Sequence, residues 1–189
     1  MNPKARLLMM ALLASSTLVV ARPALAGPPL LCFPFDIGSA RSLPMGTSGW
    51  HDVDQNYDTS HLVADTLAIL TPDAAVKLRM ETIRRATVYA STDRRLAESL
   101  LAALQERAHH PDPKTAALAV FDFGYLVETY GEGVWAIRNA ALPVVDSIDG
   151  YQLVLKAHAM QNDAQMQEAA HLIASGLPTR NTVKSGPRN

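Results

Sequence analysis

The chain has 189 residues, of which 48% are hydrophobic and 19% charged, with 17 Lys and Arg against 18 Asp and Glu and a net charge of −1. Because it has no basic block, we do not expect it to bind nucleic acid or an anionic membrane surface. Its single cysteine, Cys32, excludes an intramolecular disulfide, so stability must come from a hydrophobic core, which a chain of this length can bury.

Residues 1–26 have the features of a secretory signal peptide. Lys4 and Arg6 precede the apolar run 7–21, and small residues at the −3 and −1 positions predict cleavage after Ala26. The run is shorter than the about 20 residues that span a bilayer, and no later stretch is as apolar, so no membrane span is expected. Removal of residues 1–26 leaves 14 Lys and Arg and 18 Asp and Glu, a net charge of −4 (14 minus 18). We predict a periplasmic or secreted protein.

Cys32 lies shortly after the predicted cleavage site, where a lipid-attachment cysteine would stand. Two leucines precede it, whereas lipid-attachment signals have small residues there, so a lipoprotein is not favoured. The thiol is interpreted as a small buried hydrophobe, with an exposed group for intermolecular pairing as the alternative. The chain has no N-x-S/T sequence, which fits a bacterial protein.

Residues 27–60 are dense in Gly, Pro, Ser and Asp and predict an irregular N-terminal arm. Its apolar residues are too many for a free linker. We therefore expect this arm to pack against the rest of the protein.

From Ser60 onward the hydrophobic period is that of helices. Thr71 and Pro72 predict the start of a helix over 71–90, whose buried stripe is formed by four residues at helical spacing: Val76, Met80, Ile83 and Thr87. Thr92 or Asp93 is expected to cap the next helix, with a core face of Leu96, Leu100, Leu104 and Ala108.

A third helix is predicted over 111–131, with Asp112 before Pro113 at its start and Gly131 as its stop. A shorter helix over 134–142 and a terminal helical hairpin follow. The hairpin spans 151–160 and 164–175, with Asn162 or Asp163 as cap and Gly176 as stop. Residues 177–189 lack an apolar face and predict a flexible tail.

These elements predict an all-α fold of six or seven helices, arranged as a short array or bundle of antiparallel hairpins, with the helical domain over 61–176. The stretches "DGYQLVLKAHAMQNDAQMQEAAHLIASG" and "FDFGYLVETYG" resemble parts of tetratricopeptide repeats. Such arrays bind proteins or peptides on a concave face, which is what the resemblance implies for this chain.

The stretch "HDVDQNYDTSH" (51–61) places oxygen ligands at alternate residues, as in the calcium loop of an EF-hand. The match then fails, because Tyr57 replaces the turn glycine and Val63 the bidentate glutamate. A different calcium or magnesium site, weak in affinity, would use Asp52, Asp54, Asn56 and Asp58. The alternative is that these are loop residues that bond their own backbone. No other cofactor is expected, since the six histidines lack zinc-site spacing.

Five of the 11 aromatic residues lie between Phe121 and Trp135 and cannot share one helical face. Phe121 and Tyr125 are expected in the core. The helix is either packed between neighbours or presents aromatic side chains in a binding groove, for which the candidates are Phe123, Tyr125, Tyr130 and Trp135. Gly124 would let another backbone approach closely.

No nucleophile elbow, P-loop, zinc-protease motif or dinucleotide fingerprint is present, so an enzyme is the less favoured class. The sequence favours a module that binds a protein or peptide partner in the bacterial envelope. The alternative is a metal-dependent binder or envelope enzyme centred on residues 51–61.

Overall fold

A computed structural model describes residues 30–109, 113–136 and 145–184. Within these ranges the protein is all-helical, with six α-helices and no strand, as predicted. None of the described helices is long and apolar enough to cross a membrane. The predicted signal peptide, residues 1–26, lies outside the described ranges.

The helices are, in chain order, α1 (Leu62–Ile69), α2 (Val76–Ala90), α3 (Arg94–Arg107), α4 (Pro113–Ala136), α5 (Gly150–Gln161) and α6 (Ala164–Lys184). Short 3-10 turns cover Thr59–His61 and Val145–Ser147. Helix α4 contacts α2, α3 and α5, and α5 contacts α6, so α4 lies at the centre of the helical body.

Helix α2 begins later than the sequence predicts, at Val76 rather than next to Thr71. The Ala74 N–H donates to the Thr71 carbonyl at 3.1 Å, so these residues form a turn. The Arg79 guanidinium binds the carbonyls of both Thr71 and Ala74. A turn stabilised in this way replaces the predicted first helical turn.

Two predicted helix stops are wrong, because α4 continues through Gly131 to Ala136 and α6 continues through Gly176 to Lys184. A glycine permits the left-handed conformation that ends a helix but does not force it. Residues 134–136 therefore belong to α4 rather than to a separate helix. The predicted cap at Asp112 and residues 137–144 lie outside the described ranges, as do residues 185–189 of the predicted tail.

Other predicted boundaries are confirmed. Asp93 caps α3, its Oδ1 accepting from the Arg95 N–H at 2.8 Å. Asn162, in the left-handed conformation with φ 53°, ends α5. Asp163 then accepts from the Gln165 N–H at 2.8 Å at the start of α6.

The close backbone approach predicted at Gly124 is confirmed at the contact between α4 and α5. A Cβ atom at Gly124 would lie 2.8 Å from the Gly150 carbonyl oxygen and 2.7 Å from Cβ of Leu153. Glu128, one turn further along α4, accepts from the Tyr151 N–H at 3.0 Å. Two glycines thus let α4 contact the first turn of α5.

Residues 30–58, called the irregular segment below, form turns and bends without helix or strand. Its Leu30, Leu31 and Leu43 are buried, and Leu30 and Leu43 belong to the same core as the helices. The main chain of this segment lies against α2, which positions the site described next.

Candidate functional site

Three of the four aromatic residues predicted to form a binding surface lie in the core. Phe123, Tyr125 and Tyr130 are 6%, 0% and 8% exposed. The side chain of Trp135 lies outside the described part of the chain. The described members of this set therefore do not present a surface for a partner.

These aromatic residues are buried because α4 lies at the centre of the helical body and contacts α2, α3 and α5. The ring of Tyr125 stacks on Phe121 at 5.7 Å between centroids. The Tyr130 hydroxyl donates to the Ala97 carbonyl of α3 at 3.1 Å. The described aromatic side chains of α4 are thus packed in the core, as in the alternative interpretation of the sequence.

The predicted metal loop uses its carboxylates to bond its own backbone. Asp52 accepts from the Ser48 N–H at 2.7 Å, Asp54 from the Asn56 N–H at 2.9 Å, and Asp58 from the Ser60 N–H at 2.9 Å. The bonds from Ser48 and Ser60 lower the pKa values of Asp52 and Asp58.

Among the described residues, no three His, Cys, Asp or Glu side chains gather in a way that could hold a metal ion. The side chain of the fourth predicted ligand, Asn56, donates to Asp54 at 3.3 Å. Calcium or magnesium binding at this loop stays the untested alternative to a loop whose carboxylates bond their own backbone. The observed geometry is that of turns stabilised by Asp and Asn side chains.

A buried charge cluster on α2 is the most unusual polar feature of the described structure. Glu81 is 0% exposed and Arg84 2% exposed. Arg84 forms a bidentate ion pair with Glu81, with both N···O distances 2.8 Å, and Nε of Arg85 donates to Glu81 at 2.7 Å. We call Glu81, Arg84 and Arg85 the α2 cluster.

Burial raises the pKa of Glu81, but the hydrogen bonds and charge of Arg84 and the hydrogen bond from Arg85 outweigh it, so the pKa lies below its usual value. Glu81 is therefore ionised at neutral pH. A carboxylate that accepts charge-assisted bonds from two guanidinium groups holds both of them in fixed positions.

The α2 cluster binds main-chain atoms of the irregular segment. Nη1 of Arg84 donates to the carbonyls of Leu31 and Trp50 at 3.2 and 3.0 Å. Nη1 of Arg85 donates to the Leu43 carbonyl at 2.5 Å. Glu81 accepts from the Phe35 N–H at 3.0 Å. Three neighbouring side chains thus contact four separate points of the backbone of the irregular segment.

Two further side chains extend this pattern beyond the cluster. The Tyr89 hydroxyl donates to the Pro44 carbonyl at 2.7 Å and accepts from the Asp54 N–H at 3.0 Å. Glu132 of α4 accepts from the Leu30 N–H at 2.9 Å. Both ends of the segment are therefore bonded to the helices through peptide groups.

Cys32 lies within this region and is partly buried. Burial and the nearby Glu132 carboxylate raise its pKa, and Arg84 opposes them. The thiol is thus protonated at neutral pH and weakly nucleophilic. The sequence favoured a small buried hydrophobe at Cys32, and the structure buries this side chain only in part.

Sequence patterns did not identify the α2 cluster. Glu81, Arg84 and Arg85 follow one another at i, i+3 and i+4, a spacing that is usual for a solvated helix face. One signal for burial of these three residues was available in the sequence. The apolar residues of 30–43 must cover some surface of the helices, and that surface could include the α2 cluster.

A second buried ion pair joins Arg79 of α2 to Asp122 of α4 at 2.6 Å. Burial raises the pKa of Asp122 to about 6, against the lowering effects of Arg79 and Arg107. The sequence did not indicate this pair either, because its members are 43 residues apart.

Comparison with known proteins identified no relative of this chain. No protein-family model matches the chain, and no curated protein or solved structure is significantly similar to it.

Proposed function

We propose that this chain is an exported interaction module of the bacterial envelope that binds a peptide through the peptide's main chain. The observation that supports the proposal most is the kind of atom that the α2 cluster bonds. Its side chains bond carbonyl and N–H groups of the irregular segment rather than side chains. Recognition of this kind accepts many sequences in the bound segment, because every residue offers the same carbonyl.

The chemistry of the cluster suits peptide binding. Main-chain hydrogen bonds supply affinity in several known modes of peptide recognition, and pockets for side chains add selectivity. Bonds from a guanidinium are stronger than neutral ones. The buried Leu30 and Leu31 provide the apolar anchors that such a segment requires.

In this proposal the irregular segment, which is the described part of the predicted N-terminal arm, occupies the binding face within the same chain. A partner peptide takes the place of part of the arm. The helical hairpins that resemble tetratricopeptide repeats form the supporting body, and the signal peptide delivers the module to the envelope. The contact residues proposed are Glu81, Arg84, Arg85, Tyr89 and Glu132.

A version of the protein that is cleaved within the N-terminal arm after folding tests the proposal. A protease recognition sequence is inserted between Ala40 and Arg41, which are both exposed. After folding and cleavage, a fluorescent peptide of residues 27–40 is added, and its exchange with the cut fragment is followed by fluorescence anisotropy. Saturable binding is the expected result.

Arg84→Lys and Arg94→Lys serve as test and control variants. Arg84→Lys keeps the charge but removes the planar fork that reaches Glu81 and the Leu31 carbonyl, so peptide affinity should fall at least about tenfold, the equivalent of about 1.4 kcal/mol. Arg94 is 58% exposed and pairs with Glu98 on the same helix, so the control should bind as the unmodified protein does. The absence of saturable binding, or equal binding by both variants, contradicts the proposal.

A further inference from the structure

A stretch of six residues in the irregular segment, 30–35, is bonded to the helices near both of its ends. Its main chain makes three hydrogen bonds: the Leu30 N–H donates to Glu132 at 2.9 Å, the Leu31 carbonyl accepts from Nη1 of Arg84 at 3.2 Å, and the Phe35 N–H donates to Glu81 at 3.0 Å. A turn follows, in which the Ala40 N–H donates to the Ile37 carbonyl at 3.1 Å. We call residues 30–35 the anchor hexapeptide.

The side chains of the anchor hexapeptide differ in burial. Leu30 and Leu31 are 0% exposed, and Phe35 is partly buried and packs against the hydrophobic core. Phe33 is 37% exposed, and Pro34 is exposed as well. The helices therefore enclose apolar side chains at both ends of the hexapeptide and leave positions 33 and 34 open.

The backbone conformation explains how two adjacent leucines can both be buried. In an extended strand, neighbouring side chains point to opposite sides. Residues 30–33 instead form a turn and a bend, and both Leu30 and Leu31 are buried. A peptide bound in the same way must bend at the same place.

The hydrogen bonds add a requirement for N–H groups at two positions. Carboxylates accept from the N–H groups of the first and last residues of the hexapeptide, Leu30 and Phe35. Proline has no N–H, so it cannot stand at either position without loss of that bond. At position 34 the chain itself has a proline, so no N–H is required there.

We propose that this face of α2 and α4 selects peptides with two adjacent aliphatic residues and a large apolar residue four positions after the second. This inference rests on the proposed function and names the class of peptide that the site takes. Proline is excluded from the first and last positions of the pattern, and the two positions before the last accept polar residues. Enclosed side chains supply the selectivity that main-chain bonds alone lack.

Synthetic peptides of residues 27–40 test the pattern on the cleaved protein, by the same exchange measurement with fluorescence anisotropy. Leu31→Ser in the peptide removes a fully buried leucine and should weaken binding at least about tenfold. Phe33→Ser is the matched control, because it makes an apolar-to-Ser change at an exposed position. Its affinity should stay within about twofold of that of the unmodified peptide.

A second pair of peptides tests the requirement for N–H groups. N-methylation of the Phe35 amide removes the donor to Glu81 and keeps the side chain. Because that bond is charge-assisted, affinity should fall at least about tenfold. The same modification at Phe33, which is exposed, is the control and should weaken binding much less.

The outcomes separate this inference from the proposed function. Losses at Leu31 and Phe35 that exceed those of both controls support the pattern. Saturable binding of the unmodified peptide, with equal affinity for all four altered peptides, would overturn the pattern and leave the proposed function in place. No binding of the unmodified peptide would overturn both. The protein is the same in every measurement, so misfolding cannot account for a loss.

Discussion

Replacing Glu81 by Gln should destabilise the protein far more than the same change at an exposed ion pair. Gln has the shape of Glu, but its NH2 group would face the guanidinium donors of Arg84 and Arg85 in place of an acceptor oxygen. Arg84 is 2% exposed, so its charge would stay buried without a counter-ion. Removing one partner of a buried pair costs about 3–5 kcal/mol.

This cost is a large fraction of the total, since native domains are stable by about 5–15 kcal/mol. The loss should also affect the irregular segment, because Glu81 accepts from the Phe35 N–H and positions Arg84 for the Leu31 and Trp50 carbonyls. The free energy of unfolding is measured by urea titration followed by far-UV circular dichroism.

The control is Glu98→Gln, because the Arg94–Glu98 pair has side chains 58% and 49% exposed. A surface pair of this kind contributes about 0–1 kcal/mol. The reasoning is refuted if Glu81→Gln costs less than about 1 kcal/mol, the same range as the control. Such a result would mean that the cluster is hydrated rather than buried.

Three further predictions concern other parts of the structure. The pKa of Asp122 is raised to about 6, so its contribution to stability is present below about pH 4 and is lost as the pH rises through about 6. The free energy of unfolding of the unmodified protein minus that of Asp122→Asn, both from urea titrations, should therefore fall from pH 4 to pH 7 by up to about 3 kcal/mol, at about 1.36 kcal/mol per pKa unit. A rise would mean that the charge of Arg79 outweighs burial and lowers the pKa of Asp122. Gly124→Ala should lower the midpoint of thermal unfolding, because the new Cβ would lie 2.7 Å from Cβ of Leu153, and overpacking costs about 1–3 kcal/mol; helix propensity alone predicts a gain of about 0.5–1 kcal/mol, so a raised midpoint rejects the close contact. Thermal melts in EDTA and in excess calcium or magnesium should coincide, since each carboxylate of residues 51–61 already bonds a turn; a rise corresponding to about 2.7 kcal/mol at 100 times the dissociation constant, absent in the Asp52→Ala/Asp54→Ala variant, would instead identify a metal site.

The helical fold class could be predicted because its signals are local. Apolar residues at helical spacing identified the stripe of α2, and Asp93 and Asp163 marked helix starts by the bonds that their side chains accept. Helix ends were harder to predict. Gly131 and Gly176 permit a stop but do not force one, and both helices continue past these positions.

The site could not be predicted because its members become neighbours only through tertiary contacts. Glu81 and Arg84 have the spacing of a solvated face, and they are buried because the irregular segment covers them. Tyr125 and Tyr130 looked suitable for a binding surface, and they are buried because α4 is packed on more than one side. In both cases local spacing was clear, and the burial was set by elements far away in sequence.

The central claim is that side chains of the helices bind the irregular segment through its main chain, and amide hydrogen exchange measures this directly. Three N–H groups donate to such side chains: those of Leu30 to Glu132, Phe35 to Glu81 and Asp54 to Tyr89. These three amides are predicted to exchange slowly, and Glu81→Gln to speed exchange most at Phe35. Exchange of all three at the rate of an unfolded peptide would contradict the claim.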